Sequence, residues 1–200
     1  MFADLGLDDL LEGKADLVIV PFCPEPSRRI AVRHLQDNVT MLLASPRYIK
    51  KHGMPKQPED LSRHRLIVTN RRWTGGRVST TILNGDTAFD FTDCPAIFRG
   101  DGATCRKMVL EGQGIPLNVD MANVSQELSE GKLVPVLPGW HYPPWNNNLC
   151  MRAKDARDPV LSAVASEVVR RFYTAFSDSW KFWFQHFGIP VPDIGSKADG

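Results

Sequence analysis

The side chains best suited to chemistry in this sequence are suited to holding a small molecule. Asn70 and Arg71 follow the apolar run 66–69, where an amide and a guanidinium could fix a planar acid bidentately. With Arg72 next door, a solvated turn accounts for the pair equally well. Gly100-Asp101-Gly102-Ala103-Thr104 opens a helical stretch whose backbone amides could receive an anion. Asp101 would repel that anion unless it caps the helix or meets a cationic or hydroxylated ligand. Ser45 stands where a strand meets a helix, so its hydroxyl could cap the helix and also meet a carboxylate. Pro21 and Phe22 end an apolar run and could wall a binding cleft, with ordinary core packing as the plainer account.

Catalytic patterns are not found. The histidines, His34, His52, His64, His141 and His186, have no i, i+4 pairing with one another or with a nearby cysteine, so neither a metal centre nor a cofactor is expected. There is no G-x-S-x-G elbow and no P-loop, and Gly112-Gln113-Gly114 precedes a strand where a nucleotide-binding fingerprint would follow one. An enzyme is not expected.

Composition narrows the class further. Two hundred residues, 42% hydrophobic and 24% charged, describe a soluble chain of one domain or two small ones. Lys and Arg total 24 against 23 Asp and Glu, and a net charge of +1 argues against a stand-alone nucleic-acid binder. The segment 27–77 is locally basic, with Asp37, Glu59 and Asp60 as its only acids; a solvated surface is the default reading, and contact with DNA or a partner subunit the sharper one. Cys23, Cys94, Cys105 and Cys150 are widely spaced without a C-x-x-C pair, as in reduced, mostly buried thiols; a redox pair of Cys94 with Cys105 is the alternative. No apolar run reaches the ~20 residues of a membrane span, and residues 1–11 lack the basic start and apolar stretch of a signal peptide. A cytoplasmic protein without membrane contact is expected.

The elements that would position these residues alternate. A short helix over 8–14 feeds a strand at 17–20 that Pro21 stops, and extended runs follow at 30–35 and 39–44. Ser45-Pro46 starts a helix ending at Gly53, and Pro58-Glu59-Asp60 starts another. Short β-prone runs at 66–69, 77–83, 88–91 and 96–98 include a hairpin signal at Asn84-Gly85. Helices from 101 to 111 and 120 to 130 then flank a strand at 115–119; strands at 133–137 and 149–153 enclose a loop at 138–148. From Leu161 to Phe187 the apolar residues recur three or four apart. One unbroken helix would run about 43 Å, so a break near Ser177-Asp178 giving two stacked helices is expected, then a frayed tail from Val191. The pattern predicts two α/β lobes, the chain leaving the first near Leu35 and returning near Pro138, with a ligand cleft where strand ends and helix N-termini meet.

The run 44–68, ASPRYIKKHGMPKQPEDLSRHRLIV, resembles the A-S-P-x-Y-L-x-x-x-G-x-P-x-x-P-x-D-L-x-x-H segment of the LysR-type transcriptional regulators. Gly112-Gln113-Gly114-Ile115 and the run from Leu128 to Trp140, LSEGKLVPVLPGW, are similar to two further segments of that family, as is 9–19, DLLEGKADLVI. The resemblance covers roughly Asp4 to Phe172; it departs at Pro116, at Asn118-Val119 and in the aromatic extension beyond Phe172. It implies an α/β, type 2 periplasmic-binding-protein-like fold of two α/β subdomains with a hinged cleft, the N-terminal part of subdomain I missing. Subdomain I would take 1–35 and return over 139–176, subdomain II 36–138, with 177–200 an aromatic helical extension and flexible tail. The implied role is the effector-binding and oligomerisation region of a regulator. Its partners would be a small-molecule effector, expected to be an organic acid, further copies in a homo-dimer or tetramer, and promoter DNA only through a winged helix-turn-helix that this chain lacks. The effector would be held by Pro21, Phe22, Ser45, Asn70, Arg71, Gly100, Asp101, Gly102 and Ala103. The alternative is a solute-binding protein of a transport system with the same broad fold.

Overall fold

The computed structural model describes residues 5–69, 79–94, 97–176 and 179–194. In chain order its elements are α1 (Leu7–Leu11), β1 (Leu17–Val20), β2 (Ile30–Asn38), β3 (Leu43–Ala44), α2 (Pro46–His52), a 3-10 turn (Pro58–Arg63) and β4 (Leu66–Thr69). There follow β5 (Thr81–Asn84), β6 (Thr87–Asp90), β7 (Ile97–Gly100), α3 (Gly102–Leu110), β8 (Ile115–Pro116), a 3-10 turn (Met121–Val124) and α4 (Ser125–Ser129). The last are β9 (Val134–Pro135), β10 (Trp145–Arg152), a 3-10 turn (Ala153–Asp155), α5 (Pro159–Phe176) and α6 (Ser179–His186). The chain divides into two units, the first holding the described residues 5–38 and 145–176, the second 39–69, 79–94, 97–144 and 179–194.

In the first unit β10 lies between β1 and β2 and pairs antiparallel with both. A strand paired on both edges and covered on both faces must be apolar on both faces, and Leu149, Cys150 and Met151 satisfy this: Cys150 packs with Leu10, Val18 and Val20, while Leu149 and Met151 pack with Leu35 and Ala165 of α5. Arg152 closes the α1–β1 connection. Its guanidinium donates to the carbonyls of Leu10 and Ala15 at 3.1 and 2.8 Å and pairs with Asp16 and Asp155 at 2.6 and 2.5 Å.

The second unit centres on β4, which runs parallel to β7 on one side and β8 on the other. β5 and β6 form the hairpin at Asn84-Gly85, where Gly85 takes φ +56°, a left-handed value that suits glycine in a two-residue turn. The core gathers Met41, Leu43, Ile67, Cys105, Val109, Met121 and Val124 around Trp180, Trp183 and Phe184 of α6. Trp183 also donates its indole N–H to Ser125 Oγ at 3.3 Å.

Several expectations need correction. The chain passes from the first unit to the second at Asn38–Val39 and returns at Pro144–Trp145, where crossings near Leu35 and Pro138 were expected. The reason is pairing: β2 stays hydrogen-bonded to β10 through Asn38↔Trp145, so 145–148 is strand where a loop was expected, with a register shift between Asn147 and Asn148. The run 39–44 is strand only at Leu43–Ala44, and β8 stops at Pro116, whose nitrogen carries no donor. The aromatic helix is no extension. Its tryptophans belong to the second unit's core, whereas α5 packs in the first, so the two helices do not share one core.

Trp183→Ala is therefore expected to cost about 3–5 kcal/mol in urea unfolding, as removal of a buried aromatic does. Phe182→Ala, at a residue 56% exposed on the same helix, is expected to cost under about 1 kcal/mol. Equal midpoints for the two variants would contradict this packing.

A pH dependence follows from two buried imidazoles. Burial holds His64 and His141 below the ordinary histidine range. The unfolded chain, with histidine pKa near 6.5, then binds more protons than the folded one as pH falls past that value, so stability is full above about pH 7.5 and declines below 6.5. The urea midpoint should fall between pH 7.5 and 5, a window above the titration of the acids, and His141→Asn should flatten that slope.

Candidate functional site

Parallel strands put their carboxyl ends on one side of a sheet, and here those ends carry polar residues. β4 ends at Thr69, β7 at Gly100, and the chain beyond β8 reaches Asn118. Thr69 N–H donates to Asn118 Oδ1 at 2.7 Å, and Asn118 Nδ2 donates to the Thr69 carbonyl at 3.0 Å. The carboxamide thus does for Thr69 what a further strand residue would have done. Asp101 caps α3: Thr104 N–H reaches Oδ1 at 2.9 Å and the Thr104 hydroxyl reaches Oδ2 at 2.6 Å. Those bonds hold the Asp101 carboxyl below its usual range, so it is ionised, with both oxygens engaged by Thr104.

Around this edge lie Tyr142 and Ser79. The buried Tyr142 phenol donates to the Ser79 carbonyl at 2.9 Å. Burial pushes it up to about 12, against weaker lowering by the Ser79 carbonyl and the Arg99 charge, so it is a neutral donor at any physiological pH. The exposed Arg99 contributes a cation nearby. Cys105, under the same strand ends, donates its thiol to the carbonyls of Gly100 and Val68 at 3.4 and 3.6 Å, and burial pushes its pKa up. A buried thiol with a raised pKa is a poor nucleophile. The group can offer hydrogen bonds and charge to a bound molecule; it contains no nucleophile paired with a base.

Of the residues expected to bind, Gly100, Asp101, Gly102 and Ala103 come together here. A Cβ on Gly100 would come within 2.7 Å of the Phe98 ring, so a side chain there would displace that ring. A Cβ on Gly102 would meet only the Thr69 methyl at 3.9 Å, which sets that residue beside the β4 end. Asn70 and Arg71 lie outside the described residues. Ser45 is elsewhere: its hydroxyl accepts from Tyr48 N–H at 3.2 Å, and a Cβ on Gly112 would come within 2.9 Å of Ser45 Oγ. Gly112 follows the C-terminal end of the nine-residue α3, so Ser45 is about a helix length, roughly 13 Å, from the Asp101 end. Pro21 and Phe22 belong to the first unit, where Phe22 packs against the Leu10 cluster and its carbonyl accepts from Asn148 Nδ2 at 2.9 Å. Sequence reasoning missed Thr69, Ser79, Asn118 and Tyr142 as site residues. Asn118 alone had left a trace, as a departure from the family pattern. Among the described residues no three His, Cys, Asp or Glu side chains gather as metal ligands, and no helix is long and apolar enough to cross a membrane.

Comparison with known proteins gives the family and the fold. Residues 3–172 match the LysR substrate binding domain family. An HTH-type transcriptional regulator of Xanthomonas campestris pv. campestris (strain 8004) is 28% identical over 165 residues, covering 82% of this chain and 47% of that protein. Two solved structures share the fold. The regulatory domain of AphB from Vibrio vulnificus has TM-score 0.66 and 22% identity, with 82% of this chain and 80% of that chain covered. CrgA from Neisseria meningitidis, a LysR-type transcriptional regulator, has TM-score 0.71 and 24% identity, with coverage of 84% and 56%. The fold is α/β and periplasmic-binding-protein-like. The chain spans about half the length of the curated relatives it matches. With a family match over most of its residues, the chain belongs to the LysR substrate-binding domain family.

Proposed function

We propose that this chain is the effector-sensing and oligomerising region of a cytoplasmic LysR-type transcriptional regulator, and that it works by binding, without catalysis. Promoter DNA would be read by a winged helix-turn-helix outside these 200 residues. The relatives named above are transcriptional regulators, which favours regulation over solute transport. One observation carries the placement of the effector: Thr69, Gly100, Asp101, Gly102 and Asn118 converge on the carboxyl ends of three parallel strands and the start of α3. The effector is a small organic acid that also carries hydroxyl or carbonyl groups. Arg99 and the α3 amides favour its carboxylate, Asp101 is already engaged by Thr104, and Asn118 and Tyr142 supply neutral hydrogen bonds. Binding changes regulation only to the extent that the acid prefers one state of the regulator over another.

A thermal-shift panel of hydroxy and keto acids against their amide counterparts tests this. A member present at a hundred times its Kd adds about 2.7 kcal/mol of stability, a rise of several degrees. Asn118→Leu should abolish the rise. A flat panel, or shifts indifferent to Asn118→Leu, would remove the placement.

A further inference from the structure

The far end of α3 holds polar atoms that the strand-end site does not use. The start of α2 and the ends of α3 and α4 wall an open groove of about 550 Å³ in the second unit, lined by Ser45, Arg47, Leu110, Glu127 and Lys132 among others. Glu127 is the unusual member. Its side chain is only 10% exposed, and its Oε1 accepts from the Arg106 guanidinium. Its Oε2 is shut off from solvent and has no hydrogen-bond partner.

A carboxylate oxygen in that position is costly until a donor reaches it. None of the neighbouring donors reaches it. Arg106 Nε goes to the Asn123 carbonyl at 3.0 Å, Ser125 Oγ to the Met121 carbonyl at 3.0 Å, and the Lys132 ammonium to Glu130 at 2.5 Å. The Ser45 oxygen caps α2 by accepting from Tyr48 N–H. A molecule seated in the groove can supply the missing donor. Its charge is constrained too, because one acid lines the groove against the two cations Arg47 and Lys132. A simple amine would satisfy Glu127 and face two like charges; a simple acid would satisfy the cations and leave Oε2 bare.

We propose that this groove binds a small zwitterion of the α-amino-acid class, its ammonium donating to Glu127 Oε2, its carboxylate beside Arg47 and Lys132, and its side chain against Leu110. The site is separate from the strand-end site, so a regulator built on this chain would sense two molecules. Reaching Oε2 requires a small outward turn of the Glu127 side chain, which the open groove accommodates.

Isothermal titration of the full chain with the common amino acids tests this, with 4-methylpentanoate and 3-methylbutylamine as leucine analogues lacking the ammonium and the carboxylate. At least one amino acid should bind, and for leucine or a close homologue both analogues should be tenfold weaker or more. Glu127→Gln should abolish amino-acid binding. Since that variant could disturb folding through Arg106, Arg47→Ala at an exposed position provides the second test: it should weaken amino acids about tenfold and leave the amine unchanged. Asn118→Leu should have no effect, which separates failure here from failure at the strand ends. No heat from any amino acid at millimolar concentration, or affinity unchanged by Arg47→Ala, overturns the proposal.

Discussion

The paired hydrogen bonds between Thr69 and Asn118 are the constraint on which the candidate site depends. β8 ends at Pro116, two residues before the level of Thr69, and leaves the last peptide of the central strand facing no backbone partner. Buried peptide groups do not stay unpaired. Asn118 resolves this because a carboxamide has the same donor and acceptor as a peptide and can offer both at once. The consequence reaches beyond one strand. Holding the Thr69 peptide on both its N–H and its carbonyl fixes the height of the β4 end relative to Gly100 and Gly102, and so the position of the first turn of α3.

What that turn can do is decided by Asp101. An exposed helix start attracts anions, yet this one carries an ionised carboxylate whose oxygens both accept from Thr104. The cap therefore spends its hydrogen-bonding capacity inward and leaves its charge as a filter. A singly charged, poorly hydrogen-bonding anion gains little there. Under the proposed function, an acid with hydroxyl or carbonyl groups would also donate to the Tyr142 oxygen and accept the second amide hydrogen of Asn118, and the edge would select by hydrogen-bond pattern more than by charge.

Legibility in the sequence followed range. Ser45-Pro46 gave the start of α2, Asn84-Gly85 the hairpin and Asp101 the cap of α3, because each signal and its consequence lie within a few residues. Position at the site is another matter. Ser45 and Asp101 both stand between a strand and a helix, so locally they look alike, but β7 runs parallel to β4 toward the Asp101 end while Ser45 abuts Gly112 at the other end of α3. Nothing in either local pattern encodes that difference. Asn118 was hidden for the same reason: its partner is 49 residues away. The strand at 145–148 was hidden because asparagine disfavours strands in isolation, and pairing with β2, joined by β1 only at Asn148, overrides that preference. The apolar spacing of the aromatic helix was plain, but spacing says that a face is buried and not against what.

Burial chemistry explains why the two ends of α3 are suited to different molecules. At its start the charged group, Asp101, is exposed and fully bonded, so water and caps carry the cost of its charge. At its end the charged group, Glu127, is nearly out of water and bonded on one oxygen only. An exposed carboxylate already bonded on both oxygens repels anions and gains little from a further donor in competition with water. A buried, half-satisfied one gains from any donor that reaches it, and the gain grows as water is excluded from the contact. On these proposals the same functional group, a carboxylate, would act as a filter beside one end of a nine-residue helix and as an attractor beside the other, with burial and hydrogen bonding making the difference.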